Sequence, residues 1–486
     1  MRRQRRQVRV EQGDLFDEAL KRTLCLDATG SGGTIPEAIA EQQVLTASAR
    51  TRALTCNLME EIASSSNLNE AWKRVRANKG APGVDRQTIQ DLRNWIGLHK
   101  DELVADLLTG RFQPSPVRGV EIPKPGGGMR QLGIPTVLDR LVQQAILQVL
   151  EPVFDPGFSE SSFGFRPGRS AHAAVLQGQA YVADGYGIVV DLDLEKFFDR
   201  VNHDILMSRL ARRIGDKRLL RIIRRFLEAG MLQDGVCVRR KEGTPQGGPL
   251  SPLLANILLD DLDKELGKRG HRFCRYADDC NIYVRSLAAG ERVMASVTRF
   301  LEHRLRLRVN RQKSAVAPVE ERGFLGYRLT PEGRPTVAPK SVARAKDRLR
   351  EITDRKRAIP FERFVEEVNS FLTGWVRYFR LADDERTMRN LGGWARRRLR
   401  LARLFQCRHP KGIRSLLTSL GVPVKRAISV VWTNKGWWRK ARLAPTQEGM
   451  SNAWFARLKL CDPLLLWSTL QDDGNRRGTR SVRPVV

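Results

Sequence analysis

Two adjacent acids set between two apolar runs, RYADDCNIYV at residues 275–284, constrain the fold more than any other stretch of this chain. HRFCRYA before the pair and CNIYV after it both read as short strands, and in a continuous strand neighbouring side chains point to opposite faces. Only a turn aims the carboxylates of Asp278 and Asp279 at one place, so the segment is expected to be a hairpin with the pair at its bend. Aspartate favours turns on its own account, and three other Asp-Asp pairs occur, at 260–261, 383–384 and 472–473; the flanks set this one apart. Held together, two carboxylates repel, which raises the pKa of one of them unless a cation is present. A hard ion such as Mg2+ is held by one or two carboxylates together with substrate phosphates.

A third acid is available upstream. YGIVVDLDLEKFF, residues 186–198, begins as a β-branched run and ends in charge, as a buried strand does when it delivers acids at its C-terminal end. Asp193 is the candidate; Asp191 shares its strand parity and Asp199 flanks it, so the pattern leaves all three open. Two strands of one sheet, one ending near Asp193 and one turning at Asp278-Asp279, would bring three carboxylates together. Such a cluster can hold two divalent ions about 3.5–4 Å apart, one activating an attacking hydroxyl and one bridging the leaving phosphates. That chemistry is phosphoryl transfer by metal-aided displacement.

Charge indicates the kind of substrate. Lys and Arg total 85 against 54 Asp and Glu, a net charge of +31 over 486 residues, and a chain so basic neutralises phosphate. Between Leu391 and Leu460 there are sixteen Lys/Arg and one acid, Glu448, interleaved with Trp394, Phe405, Trp432, Trp437, Trp438, Trp454 and Phe455. Cations among aromatics suit phosphate contact and base stacking. No run approaches the roughly 18 apolar residues of a membrane span, and the basic opening MRRQRRQVRV has no apolar core, so neither a membrane partner nor a secretory signal is expected. The seven cysteines form no CxxC pair and no zinc-spaced Cys/His cluster, which points to a reducing compartment and no structural zinc.

Along the chain, GVEIPKPGGGMRQLGIP (119–135) reads as two strands around a glycine turn. Thr136 is placed to cap the next helix, with Asp139 in its first turn. Ser251-Pro252 is expected to cap and open a helix through LLANILLDDLDKEL, where one acid of the 260–261 pair would be solvated. Phe361, Phe364, Val365, Val368, Phe371, Leu372 and Trp375 form one helical stripe. DEALKRTL near the N-terminus suits a short helix, and DDGNRRGTRSVRPVV at the end suits a disordered tail.

YADD with its upstream acid, together with GTPQGGPLSPLLANILLDDLD, resembles the reverse transcriptases encoded by bacterial group II introns, the intron maturases. The likeness continues through NKGAPGVD, IPKPGGGMRQLGIPTVLDRLVQQAI, SFGFRPGRSAHAAV, DLEKFFDRVNHDIL, LRLRVNRQKS and RGFLGYRL, in order over about residues 70–330. FLTGWVRYFR is similar to the family's thumb or maturase region, and GWWRKAR with SNAWF to its C-terminal nucleic-acid-binding segment. This resemblance implies an α+β right-hand polymerase, with fingers and palm built on antiparallel sheet, an α-helical thumb or maturase region, and a basic C-terminal module. The implied division is an N-terminal extension at 1–60, fingers at 61–135, a palm-containing core at 136–335, a helical thumb and maturase domain at 336–430, and a nucleic-acid-binding segment with its tail at 431–486.

Carried over by block, the resemblance makes Asp193, Asp278 and Asp279 the catalytic metal ligands, with the Leu194 carbonyl as a further ligand. It implies two Mg2+ ions and no zinc. Phe198 would lie under the sugar of the incoming nucleotide and reject a 2′-hydroxyl, the group that separates the two sugars. Lys124 and Arg130 would grip the triphosphate, Gln246 would lie near the nucleotide sugar, and Lys313 is the family's candidate for a general acid at the leaving pyrophosphate. Arg396, Arg397, Arg398, Arg400, Trp437, Trp438, Arg439 and Lys440 are the expected nucleic-acid contacts. No CxxC pair follows, so no Cys-rich endonuclease module is expected.

The activity implied is RNA-directed DNA synthesis in the bacterial cytoplasm. Expected partners are a structured intron RNA whose splicing and mobility the chain assists, an RNA template with its DNA primer, deoxynucleoside triphosphates and a DNA target; the sequence sets no oligomeric state. A splicing factor with a vestigial polymerase site is disfavoured by the presence of all three acids. A domesticated relative in host DNA repair or phage defence would share the chemistry.

Overall fold

The computed structural model describes residues 57–123, 128–233, 236–238, 240, 242–434 and 436–478. Lys124, most of the glycine turn, the DEALKRTL segment and residues 479–486 lie outside them. The described chain divides into two compact units, the first running up to Ala174 and from Val190 to Val316, the second from Val175 to Val189 and from Ala317 onward.

The first unit is built on two four-stranded sheets. One has the order β2-β1-β4-β5, from β1 (Val117–Pro123), β2 (Met129–Ile134), β4 (Met231–Gln233) and β5 (Val236–Val238); the other has the order β6-β7-β3-β8, from β3 (Ile188–Leu192), β6 (Arg272–Tyr276), β7 (Asp279–Val284) and β8 (Ala315–Pro318). β1 and β2 form the expected antiparallel hairpin around the glycine turn, with Pro123 opposite Met129. Thr136 starts the following helix, Val137–Phe154, as a reciprocal cap: the Asp139 amide donates to its Oγ1 at 3.0 Å, and its hydroxyl donates to Asp139 Oδ2 at 2.7 Å.

Alternation along the second sheet explains its core. Val190, Leu192 and Leu194 are buried while Asp191 and Asp193 between them stay accessible, so both acids share the open face of β3 and its extension. The helix Ser251–Lys268 supplies Leu253, Leu254, Ile257, Leu258 and Leu262 to the core. Its start differs from the sequence expectation. Ser251 is the first helical residue rather than the cap, and its hydroxyl donates to the Pro245 carbonyl at 2.8 Å, tying the helix to the preceding TPQGG loop. Neither acid of the 260–261 pair is simply solvated: Asp260 is buried beside Lys264, and Asp261 accepts from Arg209 Nε at 2.6 Å.

The second unit holds a three-stranded sheet, β9 (Gly323–Phe324), β10 (Tyr327–Leu329) and β11 (Pro335–Val337) in the order β11-β10-β9, followed by helices. Six of the seven stripe residues on helix Phe361–Tyr378 are buried, and Phe371 packs against them in part. Residues from Leu349 to Phe455 share one core, and Trp437, Trp454 and Trp467 pack on it. The C-terminal segment is therefore continuous with the helical region preceding it rather than a module of its own. Its last helix, Pro463–Gly478, takes in Asp472 and Asp473, where a disordered tail was expected.

Candidate active site

The hairpin expected from the sequence is present. β6 and β7 pair antiparallel with Tyr276 opposite Asp279, so Ala277 and Asp278 form a two-residue loop and Asp279 is the first residue of β7. β7 lies beside β3 in the sheet, which brings the Asp193 segment alongside the bend. Asp193 is fixed through its main chain: its amide donates to Ser314 Oγ at 3.0 Å and its carbonyl accepts from the Asn310 amide at 2.8 Å. Leu194 forms an antiparallel bridge with Val309 whose bonds run from the Glu195 and Asn310 amides, so the bridge makes no use of the Leu194 carbonyl.

Electrostatics report how close the acids are. Burial raises the Asp278 carboxyl above the usual carboxylate range, and Asp193 adds to the effect while Arg130 and Lys313 oppose it. Partial desolvation, then Asp278, Asp193 and Asp191, push Asp279 up to about 6. Its side chain nonetheless stands at the solvent edge of the sheet. Among the described residues no group of three or more His, Cys, Asp or Glu side chains is close enough to hold an ion by itself. The carboxylates lie within electrostatic range of one another, and Lys313 Nζ stands 3.7 Å from Asp193 Oδ2. This donor set suits Mg2+, which is held by a few carboxylates plus substrate phosphates rather than by an all-protein cage.

The remaining nominated residues surround this centre to different degrees. Arg130 is exposed on β2 and near enough to act on Asp278. Phe197 is buried, whereas Phe198 is only partly covered and meets it edge to face at 5.1 Å between centroids. The Phe198 carbonyl accepts from the Thr244 amide at 2.7 Å, so the Phe198 segment and the TPQGG loop are joined. In that loop the Gln246 carbonyl accepts from the Gly133 amide at 2.9 Å; Gly247 has φ 130°, and a Cβ on it would lie 2.7 Å from the Gly133 carbonyl oxygen. Glycine is required there by both contact and conformation.

The reverse transcriptase (RNA-dependent DNA polymerase) family model matches residues 122–329, and the group II intron maturase-specific domain matches residues 342–418. Protein YkfC of Escherichia coli is 34% identical over 303 residues, covering 54% of this chain and 80% of that protein. The chain belongs to the group II intron-encoded reverse transcriptases. The group II intron-encoded protein LtrA of Lactococcus lactis is 37% identical over 196 residues, which are 40% of this chain and 32% of LtrA. Among solved structures, a partial Cas6-RT-Cas1–Cas2 complex superposes on 51% of the chain and 43% of its own with a TM-score of 0.34 and 26% identity. This reverse transcriptase/maturase is an RNA-directed DNA polymerase with the right-hand fold, and its family uses divalent metal ions.

In the second unit of this reverse transcriptase, the nominated cations fall into two groups. Arg400 is buried, its guanidinium donates to the Met450 carbonyl at 2.9 Å and lies 5.3 Å from the Phe455 ring centroid, and desolvation lowers its pKa to about 10. It is a core residue and not a phosphate contact. Arg397 sits 3.7 Å from the centroid of Trp438 and donates to that residue's carbonyl at 2.8 Å, while Trp438 packs on Trp394. Arg398 donates to Thr353 Oγ1 at 2.9 Å, and Arg396 pairs with Asp462 at 3.2 Å. Trp437 meets Phe405 edge to face, with Lys440 near its ring. These side chains join helices to one another. Arg439 is exposed, and so are Arg408, Lys411, Arg414, Lys425 and Arg442, which the sequence pattern did not single out; Trp432 is 79% exposed.

Two further residues at the bend escaped sequence reasoning. A Cβ on Gly164 would lie 2.3 Å from the Ala277 nitrogen, and Arg275 is fully buried against the bend. The arginine set between Cys274 and Tyr276 was the available signal, because a buried arginine is paired.

Proposed function

We propose that the chain copies RNA into DNA at Asp193, Asp278 and Asp279, with two Mg2+ ions, and that it binds its parent intron RNA to assist splicing and mobility in the bacterial cytoplasm. The observation that supports the polymerase site is the sheet order β6-β7-β3, in which the strand opening with Asp279 neighbours the strand that leads into Asp193. The three carboxylates and the Leu194 carbonyl would hold the ions. Held there, such ions would supply activation of the primer 3′-hydroxyl and charge neutralisation at the leaving phosphates.

Each protein group has a task consistent with its place. Burial first, and neighbouring carboxylates second, raise the pKa of Asp278 and Asp279, a cost of ionisation that a bound cation would relieve. Arg130, with Lys124, would bind triphosphate oxygens of the deoxynucleotide across the bend. Phe198 would close the space beneath C2′, with Phe197 holding it from behind. Gln246, fixed through its carbonyl to β2, would border the sugar. Lys313, exposed beside Asp193, would protonate pyrophosphate as it departs. An RNA template with its DNA primer, and a DNA target for insertion, complete the set of partners. The exposed cations around Arg439 and the Trp432 ring would contact intron RNA.

Asp278→Ala tests the site. Primer extension on an RNA template should fall by at least about 10³-fold, the scale expected when a charge stabilising the transition state is lost, while RNA binding stays within twofold. Extension near the native rate would refute the assignment.

A further inference from the structure

The bend that presents Asp278 is in an unfavourable conformation. With Tyr276 paired to Asp279, the two loop residues are Ala277 and Asp278, and of these only Ala277 has positive φ, at 58°. A two-residue hairpin with positive φ at its first central position follows the II′ pattern, in which that position is normally glycine. An alanine there persists only where its surroundings impose the conformation.

Arg275 imposes it. The side chain is completely buried, and each of its five N–H groups has an acceptor. Nε and Nη2 clasp the two carboxylate oxygens of Asp263 at 2.7 and 2.6 Å; Nη2 also donates to Ser162 Oγ at 2.7 Å. Nη1 donates to Asn256 Oδ1 at 3.0 Å and to the Ala277 carbonyl at 2.9 Å. That last acceptor belongs to the peptide joining Ala277 to Asp278, so its orientation determines where the Asp278 side chain leaves the backbone. Asp263 and Asn256 are seven apart on one face of helix Ser251–Lys268. The Asn256 amide also donates to the Gly164 carbonyl at 2.9 Å, so the residue packed against the bend and the arginine beneath it share one anchor. A planar fork with five donors in fixed directions can satisfy this arrangement, whereas a lysine ammonium, with three, cannot.

We propose that Arg275 is a positioning residue for polymerisation: by holding the Ala277-Asp278 peptide in its strained turn, it aims the Asp278 carboxylate without touching substrate. The proposal rests on Asp278 being a metal ligand, which the alanine variant at that position tests separately.

The test compares Arg275→Lys, the charge-neutral pair Arg275→Met with Asp263→Leu, and each of these combined with Ala277→Gly, all in the full chain. Unfolding temperature, RNA affinity, kcat and KM for deoxynucleotide, and the Mg2+ concentration giving half-maximal rate are measured. In the variants that fold and bind RNA within twofold of native, kcat should fall by about 10–100-fold, the cost of misplacing a reacting group by about 1 Å. The Mg2+ requirement should rise, and KM for nucleotide should change little. Ala277→Gly should recover a large part of kcat, because glycine adopts this φ freely. A folded variant with native kcat and native Mg2+ dependence would overturn the proposal, and so would a loss of rate that merely tracks the unfolded fraction and ignores Ala277→Gly. Ala277→Gly alone, which leaves the buried pair intact, should not lower the unfolding temperature; a clear drop would mean the turn is unstrained and would equally overturn the proposal. Native activity in Asp278→Ala would instead remove the metal-site reading on which the inference stands.

Discussion

Gly164→Ala is the smallest change that should displace the catalytic bend. The added methyl would lie 2.3 Å from the Ala277 nitrogen, 2.9 Å from the Tyr276 carbonyl carbon and 3.2 Å from its Cα, while ordinary contact begins near 3.4 Å. All three neighbours are backbone atoms, so no side-chain rotation relieves the overlap, and about 1 Å of relative movement is required. Gly164 is itself held, its carbonyl bonded to Asn256, so much of the movement falls on the bend. Overpacking of this kind costs about 1–3 kcal/mol of stability, which a domain this size can tolerate. A displacement near 1 Å at reacting groups costs about 10²-fold in rate, equivalent to about 2.7 kcal/mol of barrier. Single-turnover primer extension on an RNA template, at saturating nucleotide and Mg2+, measures this directly, and a thermal melt confirms folding. A folded Gly164→Ala enzyme within threefold of the native rate would refute the claim that this glycine is required by the position of the bend.

Phe198→Ala should admit ribonucleotides, with discrimination between dNTP and NTP falling by at least tenfold in competitive extension; unchanged discrimination would assign Phe198 to packing alongside Phe197. In the metal-free protein Asp279 keeps its proton until pH rises through about 6, so the Mg2+ concentration for half-maximal rate should fall as pH rises from 5 to 7 and then level off, because ligands must be deprotonated. The same raised pKa favours the folded state most at low pH, so its contribution to metal-free stability is lost as pH climbs from the ordinary carboxylate value through 6; melts with EDTA across that window check the sign. Arg400→Ala should destabilise by about 1–3 kcal/mol, since it strands the Met450 carbonyl, without changing the salt slope of RNA binding. Arg439→Ala should leave the melt unchanged and reduce that slope by about 1; titrations at several salt concentrations separate the two variants.

What the sequence made legible was whatever depends on local patterning. The hairpin at 275–284 follows from two strand-like runs around a polar pair, the β1–β2 hairpin from a glycine turn between alternating residues, and the Thr136 cap from its spacing to Asp139. Strand parity put Asp191 and Asp193 on one face and could not choose between them. Asp193 is in addition held by Asn310 and Ser314 and lies beside Lys313, more than a hundred residues away, and no local pattern encodes those contacts. Ser251 was misread for a nearer reason: its hydroxyl donates to the carbonyl of Pro245, six residues back in a loop whose path the helix pattern does not describe.

The basic C-terminal stretch shows why a charge count alone is a poor guide to an interface. Sixteen Lys/Arg against one acid indicates a phosphate partner for the stretch as a whole, yet Arg397, Arg398 and Arg400, in the densest run, are bonded to backbone carbonyls and aromatic rings of their own unit. Arginine suits this use because its weakly hydrated, planar fork can bridge helices where a lysine ammonium would remain in water. A helix with arginines at every turn buries the ones facing its neighbours and exposes the rest. The residues available to RNA are therefore set by how each side chain packs, which leaves Arg439 and Arg442 exposed and Arg400 buried. Affinity for RNA should accordingly respond to the exposed set and stability to the buried one, although the two are indistinguishable by composition.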